Sequence, residues 1–477
     1  MVRSISMRTR RQVRFLRREF LQEGKLPFTE LLTNRTVAQA LADAELVWND
    51  RIYTPLVTLW VFLGQVLSGD HSCRAAVARL IAFRCSQGQE PCSARTGAYC
   101  QARGRLPENF FSAVARLVGR TLQSQADLKW LWKGRRVYMF DGTIVSMPDT
   151  FANQQAYPQP YNQRPGLGFP LARIGAITSL ATGAIIHLGF SRYAGKGQGE
   201  VTLLRSLSHV FSAGDVLLAD CLMSNWRCLY EMRHQGVDVV TRLNKALRSA
   251  DFRKGQRLGK DDHLVQWPKP WIRDLDRQTR NAMPEWITVR EARVHIKEPG
   301  FRTKVMVIVT TLLDPTEHTK ADLAELYRQR WHNELDLRSI KTTMQMDILR
   351  CKTPELVRKE VWTHILAYNL IRTIMAKAAV QHDIQPRTIS FKGSLQTLKS
   401  FQPLIDFQGH RGRAFRLHLY GQLINCIAQH RVGNRPGRFE PRKKKRRFKL
   451  YEFLFKPRNE AKRDMVKGIG KNYVPFV

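Results

Sequence analysis

Apolar residues recur every three to four positions through the first 130 residues, which is the spacing of one face of an α-helix. Breaks in this pattern fall at Gly69-Asp70 and near Pro91. The pattern predicts a helical N-terminal domain over 1–130, with helices over 37–47, 56–67, 75–83 and 110–122. Arginines follow the turn near Gly69, so this domain is either a DNA-binding helix-turn-helix or a plain helical bundle with basic faces.

From about residue 131 the pattern changes to β-rich runs separated by turn residues. Three strands are followed by a helix, a strand, a helix and a strand, over 137–145, 172–181, 184–190, 200–211, 215–219, 225–235 and 237–243. This is the element order of an RNase H-like fold, an α/β (α+β) class in which helices flank a mixed sheet. We therefore expect 131–243 to form the first part of such a core.

The remaining chain divides into three segments. Strand-like runs over 286–290, 292–296 and 304–311 predict an all-β insertion at 244–312. Helical periodicity returns over 313–395, which we expect to complete the core. Residues 396–477 are expected to be helical and basic, and they include the run Arg442-Lys-Lys-Lys-Arg-Arg447, a solvated tail or a non-specific grip on phosphates.

The charge balance indicates the class of partner. The chain has 78 Lys+Arg and 40 Asp+Glu, a formal net charge of +38, which favours a polyanion and above all nucleic acid. A membrane is disfavoured because the longest apolar run, over 56–63, is too short to cross a bilayer. The Arg-rich start leads into no secretory signal, so an intracellular location is expected. The eight cysteines form no CxxC pair, which predicts reduced thiols and no structural zinc.

Two aspartates lie in or at the end of predicted strands. Asp141 is in the first strand, before Gly-Thr, and Asp220 follows the apolar run of the fourth strand. Strand-end aspartates are often caps, but burial of an unpaired carboxylate is costly and needs a compensating partner. Together with Glu334 they form a set of oxygen ligands of the type that suits Mg²⁺ or Mn²⁺.

A third motif follows in the segment 327–341. If this segment is one α-helix, Tyr327, Arg330, Glu334 and Lys341 lie within an arc of about 60° on one face. Such a stripe is either a solvated face with ion pairs or a site that holds a phosphate and a metal ion together.

These motifs resemble those of bacterial insertion-sequence transposases of the DDE class that carry a Tyr-Arg-Glu-Lys signature. The resemblance rests on Asp141-Gly-Thr, on Leu218-Ala-Asp220 and on the segment 327–341, and also on the runs 148–159 and 168–170. It extends over roughly residues 50–375.

The resemblance implies a cut-and-paste DNA transposase that acts by phosphoryl transfer, with an expected hairpin intermediate at the transposon end. Asp141, Asp220 and Glu334 would hold two Mg²⁺ ions, for which Mn²⁺ can substitute. Tyr327, Arg330 and Lys341 would contact the DNA. The implied partners are the terminal inverted repeats, target DNA and a second copy of the chain, in the bacterial cytoplasm at the nucleoid.

The resemblance also implies that the insertion accepts a flipped base, although the stacking tryptophan of a relative corresponds to Met306 here. Trp267, Trp271 or Trp286 could replace it. Two other classes of protein stay open: a domesticated DNA-binding protein without activity, and an RNase H-like nuclease that only hydrolyses DNA. The presence of all three acids argues against the first, and the insertion and the signature argue against the second.

Overall fold

The computed structural model describes residues 7, 10–14, 34–46, 51–86, 88–273, 275–296, 305–408, 412–432 and 456–467. Helices dominate its N-terminal part: α1 (Asn34–Asp43), α2 (Pro55–Leu67), α3 (Cys73–Ser86), α4 (Gly97–Arg105) and α5 (Glu108–Ser124). The Thr54 side chain caps α2 by accepting a hydrogen bond from the Val57 N–H at 3.3 Å. Pro55, which lacks an N–H, fits the first helical position.

The arginines after Gly69 are partly engaged within the N-terminal helices. The Arg79 guanidinium lies over Gly64 of α2, since a Cβ added at Gly64 would be 2.5 Å from its Nη1. Arg84 donates from Nε to the Glu90 carbonyl at 2.9 Å. These contacts suit a helical bundle with basic faces, while Arg74 is exposed.

The described core contains a nine-stranded sheet. Its strands in chain order are β1 (Val137–Ser146), β2 (Leu171–Ser179), β3 (Ile185–Arg192), β4 (Val216–Leu218), β5 (Asp238–Arg242), β6 (Gln256–Gly259), β7 (Asp262–Pro268), β8 (Trp286–His295) and β9 (Val305–Thr310). Their order in the sheet is β3-β2-β1-β4-β5-β9-β8-β7-β6.

The topology of the first five strands is that expected from the sequence. β1, β2 and β3 pair antiparallel, whereas β1, β4 and β5 run parallel. The connection from β1 to β2 contains the short helix α6 (Phe151–Ala156). The crossover connections that parallel neighbours need contain α7 (Glu200–Ser206) and α8 (Trp226–His234). The predicted α/β class with a mixed, RNase H-like sheet is confirmed.

The segment 244–312 differs from the expected all-β insertion. It contains the helix α9 (Arg277–Ala282), which begins where Asp276 accepts a hydrogen bond from the Thr279 N–H at 2.8 Å. Its strands also continue the main sheet, because β9 pairs antiparallel with β5 and places Thr310 opposite Val240. The expectation of a wholly β insertion was therefore wrong: a polar turn with a capping aspartate starts a short helix without apolar periodicity.

Helices cover both faces of the central strands. Successive strand residues point to opposite faces. Met139 of β1 packs with Leu323 and Leu326 of α10 (Lys320–Gln329), whereas Phe140 belongs to the larger core on the other face. The strands are therefore apolar on both sides, and a charged residue in them is conspicuous.

The long helix α12 (Pro354–Gln381) ties the N-terminal helices to the sheet. Its Asn369 side chain accepts a hydrogen bond from the Ile185 N–H of β3 at 2.9 Å and donates one to the Ala115 carbonyl of α5 at 3.2 Å. Gly119 allows this close approach, since a Cβ there would lie 2.3 Å from the Ile185 carbonyl oxygen.

The C-terminal part continues with α13 (Phe391–Gln408), α14 (Arg413–Gln429) and α15 (Arg458–Val466). Arg458 of α15 reaches the loop after β1, where its Nη1 donates to Asp149 Oδ2 at 2.7 Å. The basic run 442–447 lies outside the described residues. None of the helices that the structure describes is long and apolar enough to cross a membrane.

Candidate active site

The two aspartates lie side by side on the adjacent central strands β1 and β4, after the apolar residues of each. Met139 of β1 is paired with Leu218 of β4, and Asp141 and Asp220 each follow two positions later. Because side chains alternate along a strand, both aspartates share the face of Met139 and Leu218, which α10 covers. Adjacent strands are about 4.8 Å apart, so the carboxylates are neighbours.

Each aspartate uses one oxygen in a local hydrogen bond. Asp141 Oδ1 accepts from the Gly142 N–H at 2.8 Å. Asp220 Oδ1 accepts from the Leu222 N–H at 2.6 Å and caps the 3₁₀ turn Cys221–Met223. Asp220 thus has the capping role that is common for strand-end aspartates, in addition to its position beside Asp141.

Glu334 lies on α11 (Trp331–Arg338), which follows α10 after Arg330. Arg330 donates from Nη2 to Glu334 Oε1 at 2.6 Å, and its positive charge also acts on Asp141. Tyr327, on the preceding turn, is 8% exposed and packs against the sheet. Arg330 therefore links the carboxylate of the helix with those of the sheet.

A buried ion-pair network fixes the orientation of α11. Asp336 is 1% exposed and is paired with Arg372 of α12 and with Arg387, whose Nη1 lies 2.5 Å from Asp336 Oδ2. Removal of one partner from such a network leaves an uncompensated buried charge, which is strongly destabilising. The network therefore holds the helix that carries Glu334.

Lys341 does not continue the α-helical stripe. The helix assignment breaks at Arg330, and Lys341 lies in the π-helical turn Ser339–Thr343, where the Met344 N–H bonds to the Ser339 carbonyl at 3.0 Å. A π turn rotates each residue less than an α turn does. Within the described chain, no hydrogen bond or ion pair holds the Lys341 side chain. The expectation that Lys341 shares one face of a single α-helix with Tyr327, Arg330 and Glu334 was therefore wrong.

Asp141 is the carboxylate whose acidity is most perturbed at the site. Burial raises its pKa to about 6, and the charges of Glu200 and Asp220 act in the same direction. The Gly142 N–H and the charge of Arg330 oppose the rise. A cation bound near Asp141 would therefore favour the ionised carboxylate and lower this raised pKa.

Arg242 lies near Asp220 but was not identified from the sequence. It ends β5 two positions after Val240, which pairs with Leu218, so it stands beside Asp220 in the same row. Its Nη2 donates to Cys221 Sγ at 3.5 Å, and this contact is the main reason that its pKa is raised. The sequence signal that could have revealed it is a charged residue after the apolar residues of three neighbouring strands, namely Asp141, Asp220 and Arg242.

Glu200 and Arg173 form a second unpredicted group behind β1. Arg173 Nη1 lies 2.9 Å from Glu200 Oε1, and a Cβ added at Gly142 would be 2.4 Å from the same oxygen. Gly142 therefore gives Glu200 the room to approach Asp141 from the other face of the strand. No local sequence signal joins these residues, because three different elements bring them together.

The donor chemistry of the site fits a hard divalent cation. Asp141, Asp220 and Glu334 offer only oxygen ligands, as Mg²⁺ prefers. Among the described residues, however, no three Asp, Glu, His or Cys side chains are spaced to hold one ion. Glu334 Oε1 is instead held by Arg330 at 2.6 Å.

Comparison with known proteins identifies the family. The profile described as "Transposase DDE domain" matches residues 132–370, a segment that contains Asp141, Asp220 and Glu334. The chain belongs to this transposase family. It is accordingly a DNA-cleaving and strand-transferring enzyme of the insertion-sequence DDE class, as the motifs predicted. The Tyr-Arg-Glu-Lys signature stays a prediction.

Two sequence relatives agree with this assignment. The chain is 27% identical over 402 residues to the transposase InsG for insertion sequence element IS4 of Escherichia coli, covering 79% of this chain and 85% of that protein. It is 33% identical over 82 residues to the putative transposase InsL for element IS186A of E. coli, covering 17% and 21%. A solved piggyBac transposase synaptic complex with hairpin DNA aligns with a TM-score of 0.43 and 9% identity, over 89% of this chain and 86% of that one.

Proposed function

We propose that the protein is a cut-and-paste transposase whose catalytic carboxylates are Asp141, Asp220 and Glu334. The observation that supports this proposal is the position of the aspartates on adjacent strands and one face of the sheet, with the glutamate on the helix that follows the one covering that face. The charge of Arg330 links the two groups.

Asp141, Asp220 and Glu334 would hold two Mg²⁺ ions, for which Mn²⁺ can substitute. Such ions activate a water or a 3′-hydroxyl and stabilise the leaving oxygen of a phosphodiester. Before DNA binds, Arg330 neutralises Glu334. A DNA phosphate offers Arg330 another anionic partner, which frees Glu334 to join the aspartates. Arg330 would thus couple DNA binding to assembly of the carboxylate site.

The remaining residues of the motif have positioning roles in this proposal. Arg330 and Lys341 contact phosphates of the transposon end. Tyr327 is mostly buried and acts electrostatically with Arg330, Arg242 and Asp220, which suits a residue that orients the site beside the DNA strand.

The DNA partners proposed are the terminal inverted repeats and the target, with a hairpin at the transposon end. Of the three tryptophans considered for stacking on a flipped base, Trp267 is 3% exposed and donates to Glu291 at 2.8 Å, so it is a core residue. Trp271 and Trp286 are 73% and 58% exposed and stay candidates. Trp286 also lines a cleft of about 310 Å³ with Tyr230.

The carboxylate assignment is tested with Asp220→Asn, because Asn can still cap the turn at Cys221 while it removes the charge. We expect loss of Mg²⁺-dependent nicking of transposon-end DNA by at least about 10³-fold, since metal-bridging carboxylates act as a unit. Binding of end DNA, measured by anisotropy without metal, should change little. Full nicking by this variant would reject the proposed site.

The assembly proposed is a homodimer that holds two transposon ends, because excision requires both ends together. The mass of the complex with end DNA, measured by light scattering, should correspond to two chains and two DNA duplexes. A monomeric complex that is competent in strand joining would contradict this.

A further inference from the structure

Two half-buried thiols face each other between α3 and α4, away from the candidate active site. Cys73 begins α3 and Cys100 lies within α4, and their Sγ atoms are 4.0 Å apart. Both cysteines are free thiols in the structure. A disulfide has an S–S distance of about 2.05 Å, so the two sulfur atoms must approach each other by about 2 Å to form one.

A buried guanidinium lies across both sulfur atoms. Arg103 is 5% exposed, and its Nη2 is 3.4 Å from Cys73 Sγ and 3.6 Å from Cys100 Sγ. Its Nη1 donates to Gln65 Oε1 at 3.2 Å. In the part of the chain that the structure describes, Arg103 forms no ion pair with a carboxylate within 4.0 Å, although the more distant Glu360 carboxylate acts on it.

The buried Arg103 side chain keeps its positive charge, because a guanidinium does not lose its proton at any physiological pH. The Phe62 and Tyr99 rings flank it at 4.8 and 4.6 Å, which fixes it beside the sulfurs. A positive charge in this position favours a thiolate over a thiol and thereby favours thiol–disulfide exchange. Burial raises the pKa of Cys73, so thiol–disulfide exchange should be slow. The charge of Arg103 opposes that rise and should direct the exchange to this pair.

We propose that Cys73 and Cys100 form a reversible redox pair that joins α3 to α4 when a low-molecular-weight disulfide such as oxidised glutathione is present. One cysteine thiolate attacks a sulfur of the small disulfide, and the S–S bond breaks to release one thiolate. The second cysteine thiolate attacks the resulting mixed disulfide, forms the Cys73–Cys100 bond and releases the second thiolate. The small disulfide gains the two electrons that the protein loses, and its thiolates take up the two cysteine protons.

Reversible formation of this disulfide agrees with an intracellular protein and with the partial exposure of the two thiols. Disulfides of intracellular proteins are usually transient and respond to oxidants. Cys73 and Cys100 are both partly accessible, so a small oxidant can reach them. The inference does not depend on the carboxylate mechanism proposed above, because α3 and α4 contain no residue of the candidate active site.

The test uses the full chain, reduced and then incubated with oxidised glutathione under native conditions. Trypsin places Cys73 in the peptide 52–74 and Cys100 in the peptide 96–103, while Cys85 and Cys92 share the peptide 85–95. We expect the peptides 52–74 and 96–103 to be joined in the mass spectrum, and dithiothreitol to separate them again. The exposed Cys85 gives the matched control, since Cys85→Ser should leave the cross-link unchanged.

A variant distinguishes selective pairing from general oxidation. Cys100→Ser removes one sulfur with little change of size, so Cys73 should then be recovered as a free thiol or a glutathione adduct. Circular dichroism checks that this variant is folded. Complete alkylation of both thiols in oxidised wild type would overturn the proposal. So would a link from Cys73 to another cysteine in the native wild-type chain.

Discussion

At the scale of single residues, Arg330 determines the charge balance of the candidate site. It pairs with Glu334 at 2.6 Å and opposes the rise in the pKa of Asp141. An exposed ion pair of this kind contributes little to stability, but Arg330 and Glu334 are both partly shielded beside a buried carboxylate. The same arginine can therefore act as counter-ion in the free protein and as phosphate ligand in the complex.

This dual role gives a prediction about the salt dependence of DNA binding. Arg330→Ala and Lys341→Ala should each remove one phosphate contact, which makes the slope of log affinity against log salt shallower by roughly one unit. Arg328→Ala is the matched control, because Arg328 is exposed and paired with Glu325 on the same helix. Binding isotherms of end DNA over a salt series measure the slopes.

Glu334→Gln should behave differently in the same experiment. It removes a candidate metal ligand without removing a cation, so the salt slope should be unchanged while nicking is lost. If Arg330→Ala and Lys341→Ala kept the wild-type slope and Glu334→Gln altered it, the motif would be an ordinary ion-paired helix face. The candidate site would then have to lie elsewhere.

At the scale of elements, the central strands were predictable because each is a continuous apolar run with both faces buried. β6 and β7 were missed because they mix polar and exposed residues and carry no such run. The π turn at Lys341 was missed for a different reason. A local change from α-helical to π-helical hydrogen bonds leaves no mark on amino-acid composition.

The candidate site likewise contains some residues that could be predicted from the sequence and others that could not. Asp141 and Asp220 were predictable because a charge within or just after an apolar strand is unusual. The approach of Glu200 to Gly142 was not, since β1, β2 and α7 contribute to it from distant parts of the chain. Pairing between distant segments is information that a single sequence does not display.

Packing between elements is tight where α5 meets β3. A Cβ at Gly119 would lie 2.3 Å from the Ile185 carbonyl oxygen and 2.9 Å from Asn369 Nδ2. Gly119→Ala should therefore force α5 away from the sheet and lower the free energy of unfolding by about 1–3 kcal/mol, despite the higher helix propensity of alanine. Urea denaturation followed by circular dichroism measures this change.

Gly104 in α4 provides the control for that prediction. It is exposed, and a Cβ there would meet no atom within 4 Å. Gly104→Ala should consequently leave stability unchanged or increase it by about 0.5–1 kcal/mol. Equal effects at the two glycines would show that helix propensity, and not close packing, governs both positions.

At the scale of the whole molecule, polar groups lie deep within the core that joins the N-terminal helices to the sheet. His364 of α12 is fully buried, its ring stacks on His71 with centroids 5.8 Å apart, and its Nδ1 donates to the Glu360 carbonyl at 2.9 Å. Burial is the main cause that lowers the pKa of His364 to about 4, and the carbonyl contact partly offsets it. His364 is therefore neutral in the folded protein at neutral pH.

The sign of the resulting pH dependence follows from proton linkage. The ordinary pKa of His364 is 6.5, so between that value and about 4 the unfolded chain binds more protons than the folded protein. The stability that neutral His364 contributes is complete above pH 6.5 and is lost as the pH falls towards 4. Raised pKa values at Asp141, Asp215 and Glu360 act with the opposite sign, so the total slope mixes both effects.

A comparison of variants isolates the histidine. His364→Gln cannot take up a proton, so its cost in stability relative to wild type should be smaller at about pH 5 than at about pH 7, by on the order of 2 kcal/mol. Thr363→Ala, at a buried residue of the same helix that does not titrate, should have the same cost at both values. Urea denaturation of the three proteins at each pH gives the differences. An equal cost of His364→Gln at both values would mean that His364 becomes protonated as readily in the folded protein as in the unfolded chain. The core around α12 would then have to admit water to that ring.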